Sequence, residues 1–145
     1  MKISAVIPTY NNAAFIEEAI DSILAQSHPV DEIIVVDDGS SDHSETLVKA
    51  IAQKSDKLTY IKQQNQGPSS ARNRGIEVAS GDWIAFLDAD DRWPADKIAL
   101  QLAALEREPS LQLIAGDMAE TDEQGNVLVE SMLAKHRLLG QFQTL

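Results

Sequence analysis

Four short polar clusters hold most of the groups in this chain that could do chemistry: Pro8-Thr9-Tyr10-Asn11-Asn12, Asp37-Asp38-Gly39-Ser40, Asn65-Gln66-Gly67 and Asp88-Ala89-Asp90-Asp91. Asp88 and Asp90 directly end the apolar run WIAFL, and two carboxylates leaving one strand end repel each other unless a cation or a donor lies between them. Hard oxygen ligands of this kind suit Mg²⁺ or Mn²⁺ bridging to phosphate oxygens. The plainer reading, a solvated loop whose acids favour the helix start that follows, accounts for Asp91 alone. Asp37-Asp38-Gly39-Ser40 would be only a turn if it stood by itself. Beside the other clusters, a carboxylate there can accept from a base imino group or a ribose hydroxyl. Tyr10, just past Pro8, is suited to stacking on a nucleobase, with core packing as the alternative. Arg72 in SSARNRG can pair with the carboxylates or with a diphosphate, since a guanidinium fits both, whereas Arg74 reads as a solvated surface charge.

These groups need a scaffold that brings them to one edge. Ile3–Ile7, stopped by Pro8, and Glu32–Val36 (EIIVV) are continuous apolar runs, as expected of parallel strands covered on both faces. Between them Phe15, Ile16, Ala19, Ile20, Ile23 and Leu24 recur at helical spacing, with Asn11 or Asn12 available as the cap. The alternation continues with a helix over about Asp42–Lys54, a strand near Leu58–Lys62, a helix near Ser70–Ala79 and a strand at Trp83–Leu87. Pro94 then opens an amphipathic helix with Ile98, Leu102 and Leu105 on one face. Leu111–Ala115 reads as the next strand, and Gln124-Gly125-Asn126 as the turn of a hairpin towards Val127–Val129. This is an α/β fold with a mostly parallel sheet. In such folds ligands bind beyond the carboxyl ends of the strands, where the four clusters fall.

Composition narrows the partners. Twelve Lys+Arg against 23 Asp+Glu give a formal net charge of -11, with no basic run, which removes nucleic acid as a leading partner. The chain has no cysteine, so disulfides, thiolate metal sites and a cysteine nucleophile are all closed, in keeping with a reducing, cytoplasmic setting. His28, His43 and His136 share no metal-ligand spacing, and neither a Gly-x-Gly-x-x-Gly signature nor a Walker loop is present. No stretch reaches the roughly 20 apolar residues needed to cross a bilayer, which leaves peripheral association at a membrane surface open. The length suits a single domain over residues 1–145.

Taken in order, VIPTYNN, IIVVDDGSSD, NQGPSSARNRG and FLDADDRW resemble the donor-binding half of the family 2 glycosyltransferases, which have the GT-A fold. The resemblance covers Ile3 to about Glu108 closely, and IAGDMAETDEQGNVL is similar to the family's following strand and hairpin. It implies that Pro8, Tyr10, Asp38 and Arg72 contact the nucleotide of a UDP-sugar, that Asn65 and Asp88 lie near the ribose and diphosphate, and that Asp90 ligates the divalent metal. Asp91 is then structural. The implied reaction is transfer of the sugar to a hydroxyl on a saccharide, lipid or protein, with inversion, as in polysaccharide biosynthesis. The family's general base is an Asp or Glu well downstream. No such residue can be placed here, because Glu130 has no motif around it. The chain is therefore expected to lack the acceptor-binding part and to be inactive by itself. Two readings compete: a non-catalytic sugar-nucleotide-binding module and, more distantly, a phosphoacceptor receiver domain. The receiver needs an acidic pair after the first strand, where Pro8-Thr9-Tyr10 stands.

Overall fold

A computed structural model describes residues 1–122 and 124–136. The chain divides into two units, one spanning residues 1–100 and the other starting at Gln101. The first contains β1 (Ile3–Thr9), α1 (Ile16–Leu24), β2 (Glu32–Asp37), α2 (Ser44–Ala52), β3 (Leu58–Lys62), α3 (Pro68–Val78) and β4 (Trp83–Phe86); α4 (Lys97–Arg107) runs across the division. The strands form one parallel sheet in the order β3-β2-β1-β4. This is the α/β, mostly parallel architecture that the apolar runs predict. The chain adds β2 and β3 on one side of β1 and then returns to place β4 on the other, so the strand order reverses between β1 and β4.

The core explains why these segments fold together. All seven residues of β1 are buried, as are Ile33, Ile34, Val35 and Val36 of β2. Val6, Ile34 and Val36 pack with Ala71 of α3, and Ile61, Ala79 and Ile84 close over them. Burying such side chains is worth roughly 1.5–3 kcal/mol each. The buried stripe of α1 is Ile16, Ala19, Ile20 and Ile23, narrower than the spacing suggests, since Phe15 and Leu24 remain partly exposed. Neither Asn11 nor Asn12 caps α1 with its side chain. The Asn12 carbonyl accepts from the Phe15 and Ile16 amides instead, and the Asn11 side chain turns to the loop after β2.

Pro8 does not end the first strand, which continues to Thr9. The alternation of a parallel ladder puts the Pro8 nitrogen, which has no hydrogen to donate, on the β4 side. There β4 has already finished: its last pairing is Val6 with Phe86, followed by the Leu87 amide to the Val6 carbonyl at 3.1 Å. On the other side β1 stays paired with β2 as far as Thr9 opposite Asp37. The sheet is thus notched between the end of β1 and the chain that leaves β4.

The second unit holds β5 (Glu120–Thr121), β6 (Val127–Val129) and the short α5 (Met132–Lys135). The expected hairpin is present as an antiparallel pair, with Gly125 at φ 83° in its turn and the Asp122 carboxylate accepting from the Gln124 and Asn126 amides. Leu111–Ala115 is not a strand. No neighbour among the described residues takes up its amides in a ladder, and Leu113 is 82% exposed. Apolar sequence alone does not make a strand where no partner is presented. The helix expected from Pro94 starts at Lys97, with the Lys97 amide turned back onto the Pro94 carbonyl. No described helix is long and apolar enough to cross a membrane.

Candidate functional site

A cleft of about 570 Å³ opens at the carboxyl edge of the sheet, over the notch. Such a volume lies within the usual range for small-ligand sites. Pro8, Tyr10, Asp38, Asn65, Arg72, Asp88 and Asp90 all line it. The end of β1 brings Pro8 and Tyr10, the end of β2 brings Asp38, the loop after β3 brings Asn65, the first turns of α3 bring Arg72, and the chain leaving β4 brings Asp88 and Asp90. Tyr10 is 50% exposed, so it is no core residue.

Asp38 is the most enclosed acid of the cleft, at 3% exposure. Its Oδ1 accepts from Gln63 Nε2 at 2.8 Å and from the Gln66 amide at 2.9 Å, and its Oδ2 accepts from the Gly67 amide at 2.7 Å. Burial pushes this carboxyl up, but the three donors outweigh it and hold the group below the ordinary carboxylate range. Gly67 makes this possible. Its φ of 91° and ψ of 163° belong to a region essentially reserved for glycine, and that conformation aims its amide at Asp38 while starting α3.

The neighbouring acid does different work. Asp37 is fully buried; its Oδ1 accepts from the Ser40 amide at 2.7 Å and its Oδ2 from the Tyr60 hydroxyl at 2.5 Å. Burial and the Asp37 carboxylate together push the Tyr60 hydroxyl far up, so it remains a donor. Asn11, at φ 54°, donates its amide to Ser40 Oγ at 2.9 Å and accepts from the Ser41 amide at 2.8 Å. The loops after β1 and β2 are therefore stitched into one frame around Asp38.

At the opposite wall Arg72 Nη2 meets Asp88 Oδ1 at 2.5 Å, the carboxylate pairing left open above. The pair is half exposed, so it contributes little to stability and stays available to a ligand. The Asp90 carboxylate accepts no hydrogen bond among the described residues and is exposed to the cleft. Asp91 does not line the cleft. Loss of water around its carboxyl, then repulsion from Asp90 and Asp88, pushes it up. Arg74 pairs with Glu77 at 3.1 Å on the exposed side of α3, as a surface charge would.

Sequence reasoning gave no individual role to several residues of the cleft, including Thr9 and Gly67 within the clusters it named. Thr9, buried at 3%, is one of them, and its buried Oγ1 has no hydrogen-bond partner among the described residues. Its place inside the Pro-Thr-Tyr run was the available signal. Gly67, Pro68 and Ala71 form the floor on the α3 side. Gly67 could have been suspected from the Gly-Pro junction; Ala71 carries no signal beyond its size.

The profile of Glycosyl transferase family 2 matches residues 4–141. The chain belongs to glycosyltransferase family 2. Among the family 2 relatives, an uncharacterized glycosyltransferase of Rickettsia conorii is 47% identical over 105 residues, 72% of this chain and 17% of that protein. The putative teichuronic acid biosynthesis glycosyltransferase TuaG of Bacillus subtilis is 38% identical over 69% of this chain and 40% of its own length. The chain thus spans less than half of either relative. Among solved structures, TarS of S. aureus in complex with UDP-GlcNAc superposes with a TM-score of 0.70, at 25% identity over 92% of this chain and 42% of that one. The mannosyltransferase PcManGT of Pyrobaculum calidifontis, in complex with GDP-Man and Mn²⁺, gives a TM-score of 0.69 at 28% identity over 85% of this chain and 36% of that one. The GT-A fold expected of a family 2 chain is therefore present.

Proposed function

We propose that this chain binds a nucleoside-diphosphate sugar with uridine as its nucleoside, and that it forms the donor side of an inverting transfer of the sugar to an acceptor hydroxyl. One observation carries the reading: seven residues from four separate segments, Pro8, Tyr10, Asp38, Asn65, Arg72, Asp88 and Asp90, line a single cleft at the strand-order reversal. Tyr10 and Pro8 would flank the base, Asp38 would accept from its imino group, and Asn65 would meet the ribose side. Arg72 would exchange part of its pairing with Asp88 for the diphosphate.

The residues present fit a divalent cation, Mg²⁺ or Mn²⁺. No three His, Cys, Asp or Glu side chains among the described residues stand close enough to enclose one, so the ligand's own phosphate oxygens would share the shell with Asp90. That arrangement is common for Mg²⁺. Such a cation supplies positive charge at the leaving diphosphate. The protein's own contribution is to hold the donor in one pose, with the Asp88 and Asp90 charges compensated rather than facing bare phosphates. None of the described residues is assigned as the base that takes the acceptor's proton. The acceptor, whether saccharide, lipid or protein, lies outside the donor cleft.

Titration calorimetry with UDP tests this directly. UDP should bind at least tenfold more tightly with Mn²⁺ than in excess chelator, because like-charge repulsion goes uncompensated without the ion. Asp90→Ala should remove that ion dependence with the thermal unfolding curve unchanged. Equal affinity in chelator and in Mn²⁺ would remove the cation from the reading, and no binding in either would remove the nucleotide.

A further inference from the structure

We infer that Gln63 is a positioning residue for base selectivity: its carboxamide fixes the Asp38 carboxylate so that one oxygen, Oδ2, is left to read the nucleobase. The inference rests on the nucleotide reading above and adds a residue that does not itself line the cleft. Gln63 follows β3 directly and contacts the Asp38 side chain. Its Nε2 donates to Asp38 Oδ1 at 2.8 Å and to Ser70 Oγ at 3.2 Å, which commits both of its hydrogens and fixes the orientation of the amide. With the Gln66 amide also on Oδ1, that oxygen has its two acceptor sites filled, whereas Oδ2 holds only the Gly67 amide. The carboxylate is therefore presented with a single vacant acceptor site. Its ring plane partner, the base, must then bring a donor to that site, which a uracil imino group does and a cytosine ring nitrogen does not.

The chemistry of the amide is what matters. Gln63 is neutral, so it can donate to Asp38 without adding charge. An isosteric carboxyl at this position can donate only while protonated; once ionised, it would repel Asp38 and displace it. The charged and titratable groups on the elements that meet at Asp38 and Gln63 are Asp37, held by Tyr60 and Ser40, and Lys62, paired with Glu45; Tyr10, Arg72, Asp88 and Asp90 share the cleft lining, which includes no histidine among the described residues.

The readout is the ratio of UDP to CDP affinity, measured by calorimetry in Mn²⁺ between about pH 5.5 and 8.5; the ordinary carboxylate value of about 4 lies below this window, and the adjacent Asp38 carboxylate pushes a carboxyl placed at position 63 up into it. The ratio cancels any effect of added charge on the shared diphosphate. The unmutated protein should prefer UDP by about tenfold or more, as the loss of a hydrogen bond to a charged group implies, with a flat profile. Gln63→Glu should keep most of the preference at the acid end and lose it progressively towards the alkaline end. Retained preference at low pH is also its own proof of folding. Gln63→Leu should lose the preference throughout. If both variants match the unmutated ratio across the range, the Gln63 assignment is overturned while the nucleotide reading stands. A ratio near one in the unmutated protein would remove the Asp38 reading and this inference with it.

Discussion

Asp37 and Asp38 are adjacent, both buried, and chemically opposite in use. Asp37 spends its two oxygens on Ser40 and Tyr60 and so builds the loop, while Asp38 keeps an acceptor for the cleft. The pair's turn character was legible in the sequence, and so was its strand-end placement. The family resemblance pointed to Asp38 rather than Asp37, and Asp38 is the one that lines the cleft; the physical reason was not legible, because it depends on how β3 and α3 deliver Tyr60, Gln63 and Gly67. The Asp38 environment has a consequence for acid stability. Its folded-state pKa is depressed, so its contribution is fully present above the unfolded carboxylate value near 4 and is lost as pH falls through the lower folded value. Asp38→Asn places an amide among donors that face an acceptor. The variant should therefore melt below the unmutated protein at pH 7, with the gap closing as pH drops below about 4. A gap in melting temperature that stays constant from pH 7 to pH 3 would show that ionisation of Asp38 plays no part in holding the loop.

At the scale of elements, β1 and β2 were readable because both are buried on both faces and hence apolar almost throughout, as EIIVV shows, whereas the edge strands β3 and β4 are only partly buried, with Phe86 exposed. Their ends were less readable. Pro8 looks like a terminator, yet it sits within β1 because the neighbour it would fail to bond has already left. Leu111–Ala115 fails for the complementary reason, since the pattern was present and the pairing partner was not. The helix that carries Arg72 illustrates a contact that pattern analysis misses. Gly75 of α3 packs directly on β1, and a Cβ built there would lie 2.3 Å from Val6 Cγ1. This close approach sets how near α3 sits to the sheet, and hence where Arg72 and Ala71 stand in the cleft. Alanine is favoured over glycine in a helix by about 0.5–1 kcal/mol. Overpacking at a rigid contact costs about 1–3 kcal/mol, so Gly75→Ala should destabilise on balance. Urea unfolding should show a lower midpoint with the slope unchanged. Val6→Ala in the Gly75→Ala background should cost less than Val6→Ala alone, because it makes room for the new methyl; additive effects of the two changes would disprove direct contact.

The whole molecule sets the electrostatic problem that the cleft must solve. A formal charge of 12 minus 23, or -11, surrounds a site proposed to take an anionic diphosphate. Composition argued against nucleic acid as a leading partner, and the four motifs made the cleft legible, because each sits at a strand end where the fold forces convergence. The cleft's one arginine is already paired with Asp88, so it offers little net attraction to an incoming phosphate. Without a divalent ion, repulsion from the rest of the chain should dominate at low ionic strength, where the Debye length of about 30 Å at 0.01 M lets distant carboxylates act; at 0.1 M it shrinks to about 10 Å. Added salt should therefore strengthen chelator-condition binding of UDP by several-fold between those concentrations, the reverse of the behaviour of a basic phosphate site. Uridine, which lacks the phosphates, should bind with the same affinity at both. Calorimetry with UDP and uridine at the two ionic strengths checks this. UDP affinity that falls with salt would mean that local positive potential from Arg72 and the α3 amides outweighs the charge of the whole chain, and that the cation's role is geometric rather than compensating.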